Sequence, residues 1–199
     1  MHMDIPLFEG RLIRLTPIDI ERDAPVESGW THDPEYLRLL SAAPVRPLSP
    51  AQVKKQYQDI EKNTSSCFHF ALRPKDDERL IGFVQLDHVQ WTHGVADVLI
   101  GIGRPDDRRH GYGSDALRLV LHYAFRELNL RRLNAHVADY NEDAVRFFQR
   151  AGFQVEVRRR QAVNRDVRRW DSLILGLLGK DWERMALPAV GSADREEAR

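Results

Sequence analysis

A single cysteine, Cys67, rules out an intramolecular disulfide and makes a reducing compartment, the cytoplasm, the expected setting. No apolar run approaches the roughly 20 residues that a membrane-spanning helix needs, so no membrane partner is expected. Met1–Gly10 is short, mixed and broken by Pro6, unlike a secretory signal. A surplus of either charge is missing as well: 30 Lys and Arg offset 30 Asp and Glu, which leaves no electrostatic footprint for nucleic acid. Eight histidines occur without His-x-x-x-His or Cys-x-x-Cys spacing, so no metal is expected. Internal repeats are absent, and low complexity is confined to the polar stretch after Ala186. We expect one domain over residues 1–186 and a flexible tail over 187–199.

What is present is patterned. The composition, 42% hydrophobic and 30% charged, fits one globular domain able to bury a core without staples. Arg11–Thr16 alternates loosely as a strand and stops at Pro17. Asp19–Trp30 and Asp33–Leu40 read as helices, the second with Asp33 as cap and Pro34 at the first helical position. Ser49-Pro50 opens a third, to about Lys62. Cys67–Leu72, Leu80–Asp87 and Gly94–Gly103 then follow a period of two with polar turns between them, an antiparallel meander. Leu117, Val120, Leu121, Ala124, Phe125 and Leu128 lie on one helical face. Arg132–Ala138 is a strand, Asn141 caps a helix that Gly152 ends, and Phe153–Val163 with Arg168–Leu178 forms a hairpin. The order β-α-α-α-β-β-β-α-β-α-β-β is a mixed α/β domain.

The segment with chemical content is Arg104-Pro-Asp-Asp-Arg-Arg-His-Gly-Tyr-Gly-Ser-Asp-Ala-Leu, between a strand and the amphipathic helix. A glycine-containing loop at a helix N-terminus presents free N–H groups where the helix dipole is positive, which suits a phosphate or pyrophosphate. The Gly-Lys-Ser/Thr ending of a P-loop and the third glycine of a dinucleotide fingerprint are both missing. Taken alone, Gly111 and Gly113 fit a tight strand-to-helix turn equally well.

Arg108-x-x-Gly111-x-Gly113 resembles the signature by which GNAT acetyltransferases hold the pyrophosphate of coenzyme A. Leu80-Ile-Gly-Phe-Val and Ala96-Asp-Val-Leu-Ile-Gly-Ile-Gly resemble the strands before it. Ala116–Phe125, Leu128–Leu133, Asn141-Glu-Asp-Ala144 and Arg150-Ala-Gly152-Phe153 are similar to the branch that acetylates ribosomal-protein N-termini and polyamines. Trp30–Leu37 and Trp170–Leu175 resemble its start and finish, so the likeness covers about residues 10–183. The resemblance implies a central mixed sheet of about seven strands with helices on both faces, splayed between the fourth and fifth strands. It implies transfer of the acetyl group of acetyl-CoA to a primary amine (a protein N-terminus, a polyamine or another small amine) by direct attack.

The resemblance also assigns roles. Backbone N–H groups of Arg109, His110, Gly111, Tyr112, Gly113 and Ser114 would hold the pyrophosphate, with Arg108 and Arg109 adding charge. Ile102 and Arg104 would pair through their backbones with the pantetheine arm. Asn141 would face the cofactor while capping its helix. Phe148 stands where many relatives carry a tyrosine proposed to protonate the leaving thiolate, which phenylalanine cannot do. Water or another group (Tyr112 and Tyr140 are near in sequence) would then serve, or no acid is needed, or the protein binds acyl-CoA without turnover. Asp97 aligns with an acidic residue and is the candidate proton acceptor for an alkylammonium of pKa about 10. Glu27, His32, Asp87 and His88 are weaker candidates for the amine site. Arg158-Arg-Arg with Arg165, Arg168 and Arg169 reads as a solvated basic hairpin. A succinyl or other acidic acyl group would be the alternative cargo for it. Cys67 reads as a buried apolar residue rather than a nucleophile. A homodimer through the C-terminal strands is a further expectation.

Overall fold

The shift from helical to two-residue periodicity and back is realised around one seven-stranded sheet. The computed structural model describes residues 7–63 and 65–186. β1 (Ile13–Thr16) is followed by α1 (Ile20–Trp30), α2 (Pro34–Leu40) and α3 (Pro50–Glu61). The meander is β2 (Phe68–Pro74), β3 (Gly82–Gln90) and β4 (Val95–Ile102). Then come α4 (Tyr112–His122), β5 (Arg132–Ala138), α5 (Glu142–Arg150), β6 (Gln154–Arg165), β7 (Arg168–Leu178) and α6 (Gly179–Ala186). The strand order is β1-β2-β3-β4-β5-β7-β6, antiparallel except for the parallel β4–β5 pair. This is the expected mixed α/β sheet.

The helix starts follow their local chemistry. Asp19, Asp33 and Asn141 cap α1, α2 and α5, each accepting from a backbone N–H in the first turn. Ser49 and Gln52 form a reciprocal capping box on α3. Gly152 closes α5 at φ +94°, a conformation that costs glycine nothing.

Two features depart from expectation. The helical face that runs to Leu128 is not one α-helix: after His122 the chain widens into a π-turn, Tyr123–Glu127, with Leu128 N–H bonded to the Tyr123 carbonyl at 3.0 Å. And α6 follows the hairpin, where no further element was expected. Its apolar content is too brief to show a period, and Trp182 docks it by stacking 5.4 Å from Phe125 beneath Arg126. The expected tail, 187–199, lies outside the described residues. Cys67 is buried as expected, just before β2 rather than within it.

The largest core lies between the sheet and α4, built from Leu72, Val84, Leu86 and Val98 below and Leu117, Val120 and Leu121 above. Asp115, in the first turn of α4, is buried and accepts from the N–H groups of Leu12 (2.7 Å) and Ile13 (3.2 Å). It ties the helix to the first strand. Smaller clusters under α1–α3 cover the opposite face, around Trp30, Tyr36 and Ala71, and around Ala24, Val53 and Tyr57.

One ion pair sits inside this second layer. Arg73 Nη2, on β2, donates to both carboxylate oxygens of Asp23 of α1 at 2.7 and 2.9 Å, both residues at most 4% exposed. Thr16 and the Glu78 carbonyl take further guanidinium protons, and the Asp19 N–H bonds the same carboxylate. The network leaves neither charge uncompensated. Asp23→Ala would strand a buried guanidinium, and urea unfolding is expected to show a loss of about 3–5 kcal/mol. Replacing Asp23 and Arg73 together by apolar residues of similar volume is expected to cost less than Asp23→Ala alone.

Candidate functional site

The site begins where two strands part. β4 and β5 pair at Val95↔Arg132, Ala96↔Leu133 and Asp97↔Asn134, and no further. Beyond that point β5 stays with β7 and β4 stays with β3. The Gly103 N–H bonds the Ile81 carbonyl at 2.9 Å, which sets the alternation of the antiparallel ladder. Peptide groups of Leu99 and Gly101 therefore turn to β3, and those of Val98, Ile100 and Ile102 turn toward the gap.

The gap opens into a cleft of about 810 Å³. Val98–Ile102 forms one wall, His136 and Val137 the other, with Ala144, Phe147 and Phe148 of α5 behind them. At its mouth stand Arg108, Arg109, Gly111, Gly113 and Ser114. Gly111 is the N-cap of α4 at φ +86°, in left-handed conformation, so the first-turn N–H groups of α4 face outward without a capping side chain. Gly113 leaves the approach open: a Cβ there would lie 3.6 Å from Phe147. The loop before α4 is fixed by Arg79, whose guanidinium clamps Asp107 at 2.7 and 2.9 Å.

Of the residues singled out for the cofactor, Ile102, Arg108, Arg109, Gly111, Gly113, Ser114, Asn141 and Phe148 line this cleft. Arg104, His110 and Tyr112 do not; the Arg104 carbonyl accepts from Asp107, and His110 turns to the Asp106 carbonyl at 2.9 Å. Arg108 bends back to the carbonyls of Ile102 and Gly103 at 3.4 and 3.3 Å. Arg109 reaches across the mouth to Asp143 of α5, 3.4 Å away. Asn141 does cap α5, and its amide also donates to the Leu39 carbonyl of α2 at 3.0 Å. With Tyr140 on the Arg38 carbonyl (2.6 Å) and Arg165 on those of Ser41 and Ala43, it ties α2 over the cleft to the far half of the sheet.

Asp97 lies at the point of divergence but does not itself line the cleft. Its carboxylate accepts from Asn134 at 3.1 Å and approaches His136 Nε2 at 3.5 Å and His88 Nδ1 at 3.3 Å. Burial pushes the Asp97 pKa up, but the hydrogen bonds from His136 and Asn134 outweigh it and leave it below the ordinary value. The hydrogen bond to Asp97 raises the pKa of His136 against the opposing effect of partial burial. His136, which lines the cleft, was not singled out from the sequence; its one signal is the alternation of Arg132, Asn134 and His136 on the polar side of β5. Glu27 is held by the Tyr57 hydroxyl between α1 and α3, and burial raises its pKa. Asp87 and His88 sit by the β3–β4 bulge and His32 is exposed; none of the four lines the cleft. No group of ligands suited to a metal occurs among the described residues.

A parallel pair that parts after three residue pairs, followed by a glycine-opened helix, is the arrangement that the GNAT resemblance implies. The family model described as "Acetyltransferase (GNAT) domain" matches residues 12–154, and the chain belongs to this family. It is similar to the "Probable N-acetyltransferase YjcK" of Bacillus subtilis (strain 168), 35% identical over 133 residues, which are 65% of this chain and 71% of that protein. It is also similar to the alpha/beta-tubulin-N-acetyltransferase 9 of Mus musculus, 26% identical over 165 residues, covering 70% of this chain and 68% of that one. The crystal structure of spermidine N-acetyltransferase from Vibrio cholerae, solved with CoA and spermine, superposes with a TM-score of 0.77 at 20% identity, over 86% of this chain and 98% of that one.

The Asp97–His136 pair makes a prediction independent of any substrate. In an NMR titration His136 is expected to lose its proton above the ordinary histidine pKa of about 6.5. Asp97→Asn removes the charge that favours the protonated ring, so the midpoint should move down. An unshifted midpoint would show that the two side chains are not coupled.

Proposed function

We propose that this chain is an N-acetyltransferase that passes the acetyl group of acetyl-CoA to a primary amine, which attacks the thioester directly in a ternary complex. The observation that carries the reading is the row of peptide groups at Val98, Ile100 and Ile102, turned into a cleft with no strand to meet them. Apart from the Ile102 carbonyl, which Arg108 meets, these groups have no strand to bond, so a ligand that brings its own amides in extended form is favoured there. A pantetheine arm is such a ligand. Arg104 would extend the row by one residue through its N–H. The outward N–H groups at Gly111–Ser114 suit the pyrophosphate that follows the arm, and Arg108, Arg109 and Arg150 add positive charge along its path. His110 and Tyr112 contribute through the backbone alone.

On the acceptor side, an ammonium must lose a proton before it can attack. We assign that proton to His136, with Asp97 holding the ring and stabilising its charged form. Asp97 is thus a positioning residue rather than the base itself. Cys67 is no nucleophile in this scheme: burial pushes its thiol up to about 11, and it lies outside the cleft. The basic hairpin gives little support to an acidic acyl cargo. Arg158 is engaged by Asp139 and Asp171, Arg165 by backbone carbonyls, and no hairpin arginine lines the cleft. A protein N-terminus, a polyamine or another small amine all remain within the proposal. A dimer would use β6, the sheet edge that carries the exposed Val155 and Val157.

A thiol-release assay with acetyl-CoA against a panel of amines tests the reading. Release that depends on one class of amine is expected in the native protein. Gly113→Phe would fill the passage toward Phe147 and should abolish binding of acetyl-CoA in calorimetry; retained binding would place the cofactor elsewhere. His136→Gln is expected to lower kcat by about a hundredfold or more. A normal kcat in that variant would remove His136 as the proton acceptor.

A further inference from the structure

Tyr36, on α2, is 4% exposed, yet its hydroxyl has no hydrogen-bond partner among the described residues. A buried hydroxyl without a partner has given up its hydration and received no hydrogen bond in return, so such a group asks for an explanation. Its position supplies one. Tyr36 lines the cleft, and its oxygen lies 3.3 Å from the point where a Cβ on Gly101 of β4 would be. A side chain at Gly101 would crowd the hydroxyl together with Phe83 and Leu40, so the glycine leaves room for the hydroxyl beside β4. The ring is held edge-on against Trp30, centroids 6.0 Å apart. Trp30 in turn fills the space of a side chain at Gly103, where a Cβ would fall 2.0 Å from the indole. The hydroxyl is thus wedged from behind by Trp30 and covered in the unliganded structure, on a residue that lines the cleft.

We propose that Tyr36 donates this hydrogen bond to a carbonyl oxygen of the acyl-pantetheine arm, a role that rests on the acyl-CoA reading above. The donor must meet an acceptor, and that requirement sorts the ligands. An alkylammonium has donors only: it could donate to the phenol oxygen but would leave the O–H itself without an acceptor. A neutral amine could accept, but only by tying up the lone pair with which it attacks. The carbonyl oxygens of the two amides and of the thioester are free to accept, and they belong to the chain that would run along β4.

Nor does Tyr36 replace the hydroxyl missing at Phe148 as an acid. Burial, with the Glu27 carboxylate nearby, raises its pKa far above that of a thiol, about 8.5, so proton transfer to a leaving thiolate would run uphill. The phenol keeps its proton and acts by orientation. Tyr36 is therefore a positioning residue for the acyl donor.

Tyr36→Phe keeps the ring and removes only the donor. Calorimetry with CoA and with acetyl-CoA, beside thermal melting of the unliganded protein, tests the idea. We expect an unchanged or higher melting temperature, because the unpaired hydroxyl is gone, and about a tenfold weaker Kd for acetyl-CoA. Equal weakening for CoA would place the acceptor among the pantetheine amides; weakening for acetyl-CoA alone would place it at the thioester. Native binding of both ligands with no change in the variant would overturn the inference and leave the acetyltransferase reading standing. Weakened binding together with a melting temperature several degrees lower would assign the hydroxyl to packing and likewise overturn it. Failure of the native protein to bind either ligand would overturn the reading beneath it and the inference with it.

Discussion

A peptide group turned toward a neighbouring strand has to find a partner, and at Val98, Ile100 and Ile102 the neighbour has moved away. Everything else about the cleft follows from that displacement. β4 must be held straight by β3 while β5 is held by β7, or the two would close on each other as they do at Ala96. At the mouth of the cleft Gly111 and Gly113 leave the backbone bare, and Arg79 clamps Asp107 from outside. The incomplete sheet is stable because two layers of helix cover it from opposite faces.

Those layers are attached by different means. α4 is bound by apolar burial and by Asp115, which reaches the backbone of the first strand. The layer of α1–α3 is bound by smaller apolar clusters and by the Asp23–Arg73 pair. Of these helices α2 reaches across the divergence, through its terminal carbonyls and the side chains of Tyr140, Asn141 and Arg165. Those bonds are short-range and directional, and they add to the apolar packing of Tyr36, Leu37 and Leu40 in setting the height of α2 above the cleft. Tyr36 and Leu40 look into the cleft from this helix.

The strands and most of the helices were legible because their signals are local. Arg132–Ala138 and Arg168–Leu178 have the alternation and the bounding turns that fix both ends, and the structure keeps those limits. The face from Leu117 to Leu128 was legible too, but a one-residue widening at Tyr123 leaves no mark on a hydrophobic pattern. α6 was missed because one tryptophan carries its packing. In the site, the loop from Arg108 to Ser114 could be recognised as a continuous stretch. Arg108 and Arg109 showed their charge but not their direction, one folding back on β4 and the other reaching to α5. His136 and Tyr36 were not legible: each matters through a residue far away in sequence, Asp97 in one case and Gly101 in the other. Periodicity marks which face of a strand is polar, but not what stands across from it.

The ties on α2 have a kinetic side. Its terminal carbonyls find their partners about a hundred residues later, at Tyr140 and Asn141, and at Arg165 beyond them. Contacts of such span form after local structure, since a long loop must be closed first. During synthesis the meander and α4 can therefore pack while the far wall of the cleft is still within the ribosome. Until the last hairpin emerges, the open edge of β4 faces solvent beside an exposed apolar strand, a state prone to pairing with the wrong partner. The feature that gives the finished molecule its cleft is also the one that leaves the nascent chain longest unprotected.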